Sequence, residues 1–217
     1  MFTRTELKER ARNQLGNNLF GKNWVSAVLV CLIYGLLVGA IQCLPYTGTI
    51  LSIIIGGPLL YGVSRLFLWQ TLNCEPMEIG DIFRGFKDDF SGTFLLNLMQ
   101  CIFIGLWSLL LIIPGIIKSY EYSMIFYIKA DHPEYDWRRC FEESKQLTKG
   151  HKLDLFILDL SFIGWSIVGA LCLGIGSLWV LAYRYATQAQ CYKVLRSEKM
   201  DNAEQDNIPT ADSESNV

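Results

Sequence analysis

Charge is scarce in this chain of 217 residues. Asp, Glu, Lys and Arg together make up 18% of it, whereas hydrophobic residues make up 51%. Soluble globular proteins average about 25% charged residues. The deficit argues against a nucleic-acid-binding chain and against a disordered one, because both need charge. It also disfavours an ordinary soluble domain, because so much apolar surface does not fit inside a core of this size. The composition indicates a polytopic membrane protein.

Several chemical signatures are also missing. The seven cysteines are odd in number, form no C-x-x-C pair and lie mostly in apolar runs, so we expect neither a disulfide framework nor a zinc site. His132 and His151 fall in one predicted loop without a metal-ligand spacing, and no metal or other cofactor is expected. Neither G-x-S-x-G nor Walker A occurs, so we predict that the chain is not an enzyme.

The amino-terminal segment, residues 1–23, predicts an amphipathic helix. It has no apolar stretch of the kind found in a signal peptide, so the first span is expected to act as its own insertion signal. Thr3-x-x-Glu6 is a capping box. We expect this helix to lie on anionic lipid; the alternative is a solvated helix that only helps to set the topology. Its apolar face carries Leu7, Ala11 and Leu15, and another face carries Arg4, Lys8 and Arg12.

Charge-poor runs predict a transmembrane helical domain over residues 24–196. A bilayer core requires about 20 apolar helical residues. The chain therefore predicts an all-α fold, a bundle of about six spans, with a cytoplasmic surface helix near residues 136–149 and a disordered acidic tail at 197–217. The fourth span is short, about 20 Å at 1.5 Å per residue. The predicted spans are 24–44, 50–72, 90–113, 116–128, 153–173 and 176–192, with turns at Pro45, Pro114 and Gly174.

The basic residues predict an orientation. All but three of the 19 Lys and Arg residues lie at the amino end, at the carboxyl end, or in the loops after spans two and four. Six spans place all of these on one side, and the three opposite turns carry no Lys or Arg. By the positive-inside rule, both termini are expected to be cytoplasmic. The three exceptions, Arg65, Lys118 and Arg184, lie within predicted spans.

The second half carries recognisable motifs. They are Pro114-Gly-Ile-Ile-Lys-Ser-Tyr120, Tyr122-Ser-Met124, Ala130-Asp-His-Pro133, Ser144, Gly150-His-Lys152, Leu158-Asp-Leu-Ser-Phe-Ile-Gly-Trp165, Gly174-x-Gly176, Tyr183, Thr187, Ala189 and Tyr192. With them the chain, from the amino-terminal helix to about Arg196, resembles an uncharacterised family of multi-pass integral membrane proteins of Gram-positive bacteria. It is more distantly similar to the membrane domain of some glycerophosphodiester phosphodiesterases, although no room remains for a catalytic barrel. The resemblance implies a bacterial cytoplasmic membrane and supplies no reaction.

Ionisable residues within the predicted spans are the sharpest functional signal, because they are costly in hydrocarbon and usually face the bundle interior. Arg65, Asp159 and Arg184 lie at comparable depth in the cytoplasmic half, so Asp159 is expected to pair with Arg65 or Arg184. Lys118 and Glu121 form a secondary pair at i and i+3. The cluster either faces an anionic head group or a proton-linked solute, or is a structural ion pair between helices.

Two functions fit these features. The first is a non-enzymatic membrane protein that binds or moves a small or amphipathic solute, lipid-like and anionic. The second is a structural or accessory protein that organises lipids or a partner complex. The expected partners are therefore the lipid bilayer and an anionic lipid or small solute, but not nucleic acid.

Overall fold

Helices make up most of the described chain. The computed structural model describes residues 4–16, 21–44, 47–73, 77–171 and 175–206, and no strand occurs in those ranges. The all-α prediction is confirmed, and the predicted turns at Pro45 and Gly174 lie outside the described residues. The helices are α1 (Arg4–Leu15), α2 (Lys22–Gln42), α3 (Thr47–Asn73), a 3₁₀ turn (Ile79–Phe83), α4 (Arg84–Lys87), α5 (Phe90–Leu110), α6 (Ile112–Glu121), α7 (Ile125–Asp131), α8 (Trp137–Leu147), α9 (Lys152–Leu171) and α10 (Ile175–Asp206).

Within the described ranges, three helices are long and apolar enough to cross a membrane. They are α2, α3 and α5, with 21, 27 and 21 residues. At 1.5 Å per residue each covers the hydrocarbon core of about 30 Å. They correspond to the first three predicted spans, and they indicate a membrane location.

The central helix of the bundle is α3, which packs against α2, α5, α7 and α10. It continues through Pro58, where the sequence predicts a kink or local break. Glycines permit its closest contacts, because a Cβ at Gly57 would collide with the Thr93 carbonyl of α5. A Cβ at Gly62 would collide with the Ile82 carbonyl in the same way. The segment after α3 therefore turns back and packs along α3 itself.

The predicted fourth span, 116–128, is not one helix. The chain forms α6, a turn at residues 122–124, and then α7. At this break the Ser144 hydroxyl of α8 donates to the Glu121 carbonyl at 2.7 Å, so that carbonyl is held by a neighbouring helix. All residues from Ile125 to Ala130 are buried, and α7 packs against α3 and α8. α7 is therefore a core helix of the protein.

The amino-terminal helix docks on the bundle. Leu7, Ala11 and Leu15 are fully buried, and α1 packs against α10. The Tyr183 hydroxyl donates to the Lys8 carbonyl at 2.9 Å, which fixes the register of the two helices. The apolar stripe of α1 is therefore covered by protein, and contact of this helix with anionic lipid stays a prediction. Gly16, with a φ of 97°, follows the last residue of α1.

The surface helix and the start of the tail, both predicted to be cytoplasmic, also pack against other helices. The predicted surface helix is α8, and its apolar face, including Cys140, Phe141 and Leu147, is buried. α10 runs to Asp206, ten residues into the segment 197–217 expected to be a disordered tail. Lys199 explains part of this extension, because its ammonium contacts Glu143 of α8 and donates to the Gln146 side chain at 3.0 Å. Residues 207–217 lie outside the described residues.

Candidate functional site

Two of the three predicted intramembrane charges meet. Arg184 Nη2 of α10 lies 3.1 Å from Asp159 Oδ2 of α9, and the Tyr120 side chain of α6 lies beside both. The two charged side chains are 46% and 21% exposed. The pair therefore joins α9 to α10 at a partly accessible position rather than in a sealed core.

Arg65 is not part of this cluster. Its guanidinium lies 3.1 Å from Asp88 Oδ2, donates to the Tyr61 hydroxyl at 3.3 Å and stacks over Trp69. The predicted trio Arg65–Asp159–Arg184 is thus divided between two places. The reason is that the segment after α3 packs closely on α3 and brings Asp88 beside it. From the sequence alone, Asp88 is predicted only as a loop residue.

The predicted Lys118–Glu121 ion pair is formed, and a third residue, Lys152, joins it. Lys118 Nζ lies 2.7 Å from Glu121 Oε1, and the Lys152 ammonium contacts the other carboxylate oxygen. Glu121 is 3% exposed. One buried carboxylate therefore holds two lysines from α6 and α9, next to the α6–α7 break. Local spacing predicts Lys118 but not Lys152, because Lys152 lies 31 positions after Glu121 in the chain.

A groove lies between α1, the start of α2, and the α9–α10 hairpin. Its volume is about 410 Å³. Tyr183 is its central ring: it packs 6.2 Å from Trp24 and meets Phe162 edge-on at 5.5 Å. The lining residues are Trp24, Trp165, Trp179, Val180 and Tyr183, together with Lys8 and Arg12 of α1.

The two cations of the groove differ from the others described above. Lys8 contacts the Ser161 hydroxyl and lies 4.7 Å above the Phe162 ring, and Arg12 is exposed. Within the described ranges, neither makes an ion pair with a carboxylate. Burial lowers the pKa of the Lys8 ammonium, because desolvation disfavours its charged form. A bound anion would favour the charged form.

A shallower depression of about 360 Å³ adjoins the groove. It shares Lys8, Arg12 and Tyr183 with the groove and adds Glu9 at the exposed surface of α1. Two cations over aromatic walls can hold an anionic group, while the walls contact an apolar chain. The sequence gives Lys8 and Arg12 only as a basic helix face, because the partner that completes the groove lies more than 150 residues away.

The carboxyl-terminal half of the chain matches a protein-family model. Residues 109–199 match the family model of a protein of unknown function, DUF975. The match covers less than half of the chain. It includes the Asp159–Arg184 pair, Glu121 and the aromatic residues of α9 and α10, but not α1. No curated protein and no solved structure matches the chain.

Proposed function

We propose that this protein is a multi-pass protein of a bacterial cytoplasmic membrane that binds an anionic amphiphile, a phospholipid, in the groove formed by α1, α2, α9 and α10. The observation that carries this proposal is that two cations without a carboxylate partner among the described residues, Lys8 and Arg12, lie beside an aromatic and apolar wall. A phospholipid has the complementary chemistry: its phosphate fits the cations and its acyl chain fits the wall.

The proposal includes about six spans with both termini in the cytoplasm. Helices α2, α3 and α5 supply three apolar spans. We take α6 and α7 together as a broken span, and α9 with the first half of α10 as a hairpin. The one-sided distribution of Lys and Arg supports this arrangement. It places α1 beside Ser161 and Tyr183, in the cytoplasmic half of the α9–α10 hairpin, on the side of the membrane where anionic lipids attract basic residues.

In this proposal the protein is a binding protein, not an enzyme, and uses neither a cofactor nor nucleic acid. The resemblance to multi-pass proteins of Gram-positive bacteria, and more distantly to the phosphodiesterase membrane domain, agrees with a lipid environment. The resemblance names no ligand. The choice of an anionic amphiphile rests on the groove.

The groove can be tested by lipid binding. The purified protein would be placed in nanodiscs of phosphatidylcholine with or without phosphatidylglycerol, and bound lipids would be identified by native mass spectrometry. We expect phosphatidylglycerol to remain bound to the wild type and to be lost from the double variant Lys8→Met/Arg12→Met. Lys145→Met, which removes one exposed positive charge from α8, is the control for a general charge effect.

The proposal is wrong if phosphatidylglycerol binds equally to the wild type and to the double variant, or if Lys145→Met lowers binding as much. A second variant, Trp165→Ala, separates the two halves of the groove. It leaves both cations in place and shortens the apolar wall, so we expect it to weaken binding of the diacyl lipid more than binding of a short-chain analogue.

A structural role is the second candidate. The observation in its favour is that Glu121 and Asp159, both in or beside predicted spans, are engaged by lysine or arginine of another helix. Such pairs hold helices together without any ligand. If this role is the main one, the Lys8→Met/Arg12→Met variant should retain full stability and full partner assembly while losing no bound lipid.

A further inference from the structure

A second cavity lies on the other side of α1. It has a volume of about 490 Å³ and opens between the last turn of α1, the first turn of α2, the last turns of α3 and the middle of α10. It shares none of the residues that line the amphiphile groove. Its wall includes Arg10, Gln14, Asn23, Gln70, Gln190 and Lys193.

The side-chain amides in this wall form a chain of hydrogen bonds that runs from Gln190 through Gln14 to Gln70. Gln190 Nε2 donates to Gln14 Oε1 at 2.7 Å, and Gln14 Nε2 donates to Gln70 Oε1 at 3.2 Å. Because the Gln190 bond fixes the Gln14 oxygen, the Gln14 nitrogen faces Gln70, and the Gln70 carbonyl is the acceptor. The Gln70 nitrogen is therefore presented as a donor.

That donor has no acceptor. Gln70 is 4% exposed, and its side-chain nitrogen is buried without a hydrogen-bond partner. A buried amide donor without an acceptor is unfavourable, because it has lost its hydrogen bond to water. A cavity wall that retains such a donor is suited to a ligand that brings an acceptor oxygen.

The remaining wall has the charge that an anion requires. Among the described residues, no carboxylate lines the cavity, whereas Lys193 and Arg10 do; the Arg10 guanidinium is paired with Glu6 Oε1 of its own helix at 2.5 Å. Lys193 is exposed and donates to the Thr71 carbonyl at 3.2 Å, so it has no carboxylate to neutralise it in the described structure. The first turn of α2 borders the cavity through Asn23. Gly21 caps that helix without a side-chain hydrogen bond.

We propose that this cavity binds a phosphate oxyanion, held by Lys193 and accepting a hydrogen bond from the Gln70 amide, with the Arg10–Glu6 pair beside it. The proposal is independent of the amphiphile groove, because it uses a different face of α1 and requires no apolar chain. The same phosphate chemistry can come from a free phosphate ion or from a lipid head group, so the experiment compares the two sources.

Thermal unfolding in nanodiscs tests the proposal. In one arm, wild-type protein in phosphatidylcholine nanodiscs is titrated with inorganic phosphate against sodium chloride of equal ionic strength. In the other arm, phosphatidylglycerol replaces part of the lipid and phosphate is omitted. Binding to the folded state raises the melting temperature with concentration, so we expect a phosphate-dependent rise in at least one arm. A rise in the first arm identifies free phosphate, and a rise in the second alone identifies the lipid head group.

Two variants establish that the rise comes from this cavity. Lys193→Met removes an exposed cation, so it should fold normally, and we expect it to weaken the apparent affinity by about tenfold or more, as loss of a hydrogen bond to a charged group does. Gln70→Met removes the unpartnered amide donor and keeps a similar side-chain volume. It should also weaken phosphate binding. Lys87→Met, an exposed change of the same charge in α4, is the control, and Lys8→Met separates this cavity from the groove.

The proposal is overturned if neither arm shows a rise beyond that of sodium chloride. It is also overturned if Lys87→Met weakens the effect as much as Lys193→Met, because the effect would then be general charge attraction. If Lys8→Met abolishes the rise while Lys193→Met leaves it intact, the anion lies in the amphiphile groove and this cavity is not its site.

Discussion

Glu121 gives the most specific stability prediction. Its carboxylate is 3% exposed and holds Lys118 and Lys152, whose side chains are 22% and 32% exposed. Removing one partner of a buried ion pair typically costs about 3–5 kcal/mol, because the opposite charge stays buried alone. Here both lysines reach solvent in part, which allows them to recover some hydration. We therefore expect Glu121→Gln to cost about 3 kcal/mol, at the low end of that range.

The loss can be measured as a shift in melting temperature. For chains of this size, about 1 kcal/mol corresponds to about 2–4 °C, so Glu121→Gln should lower the melting temperature in mild detergent by about 6–12 °C. Glu143→Gln is the matched control, because Glu143 also pairs with a lysine but both side chains are more exposed, at 28% and 40%. A surface pair of this kind contributes about 0–1 kcal/mol.

The reasoning is refuted if Glu121→Gln and Glu143→Gln lower the melting temperature equally. The two lysines provide a further check. Replacing both with methionine in the Glu121→Gln background removes the unpaired charges, so part of the lost stability should return. A triple variant that is less stable than the single one would show that the cluster acts through packing and not through charge compensation.

Three other predictions test the remaining charges and the topology. Asp159→Asn should cost less than Glu121→Gln, because Arg184 is nearly half exposed, and replacing Arg184 as well should recover part of the loss in thermal unfolding. Burial alone would raise the pKa of the Asp89 carboxyl, but hydrogen bonds from Lys129 and from a backbone N–H outweigh it and hold that pKa below 3.8. The resulting stability is present above the unfolded pKa and is lost as the pH falls through the folded one, so the stability advantage over Asp89→Asn should vanish in acid; an advantage unchanged by acid would contradict this. Thr47→Cys, in a background without native cysteines, should react with an impermeant maleimide added outside intact cells, and reaction only after lysis would disprove the orientation.

Thr47 is preferable to its neighbour Gly48 for that experiment. Thr47 is exposed, whereas a Cβ on Gly48 would press against the Ile41 carbonyl of α2. A cysteine at Gly48 would disturb the packing between α2 and α3. A negative result there would have no topological meaning.

Hydropathy and helical period predict much of this fold, because both are local properties. The apolar runs of α2, α3 and α5 require no knowledge of their neighbours. The Lys118–Glu121 pair follows in the same way, because residues at i and i+3 are adjacent on any helix. The face of α1 that carries Leu7 is also evident from the sequence. What the sequence does not reveal is the surface that covers this face.

The failed predictions share one physical cause: each depends on which distant segment packs against a given helix. Arg65 and Asp159 have comparable predicted depths, but depth does not determine the angular position of a side chain around its helix. The partner of Arg65 depends on two glycines. Because Gly62 and Gly85 have no Cβ, the 3₁₀ turn and α4 can contact α3 directly. This packing brings Asp88 to the guanidinium.

The docking of α1 alters the functional interpretation in a similar way. A basic amphipathic helix on lipid would present its apolar face to acyl chains and its cations to the membrane surface. In this protein α10 covers the apolar face, so the two flanks of α1 become walls of separate cavities, with Lys8 and Arg12 on one side and Arg10 and Gln14 on the other. A single helix thus supplies cations to an apolar groove and to an amide-lined cavity.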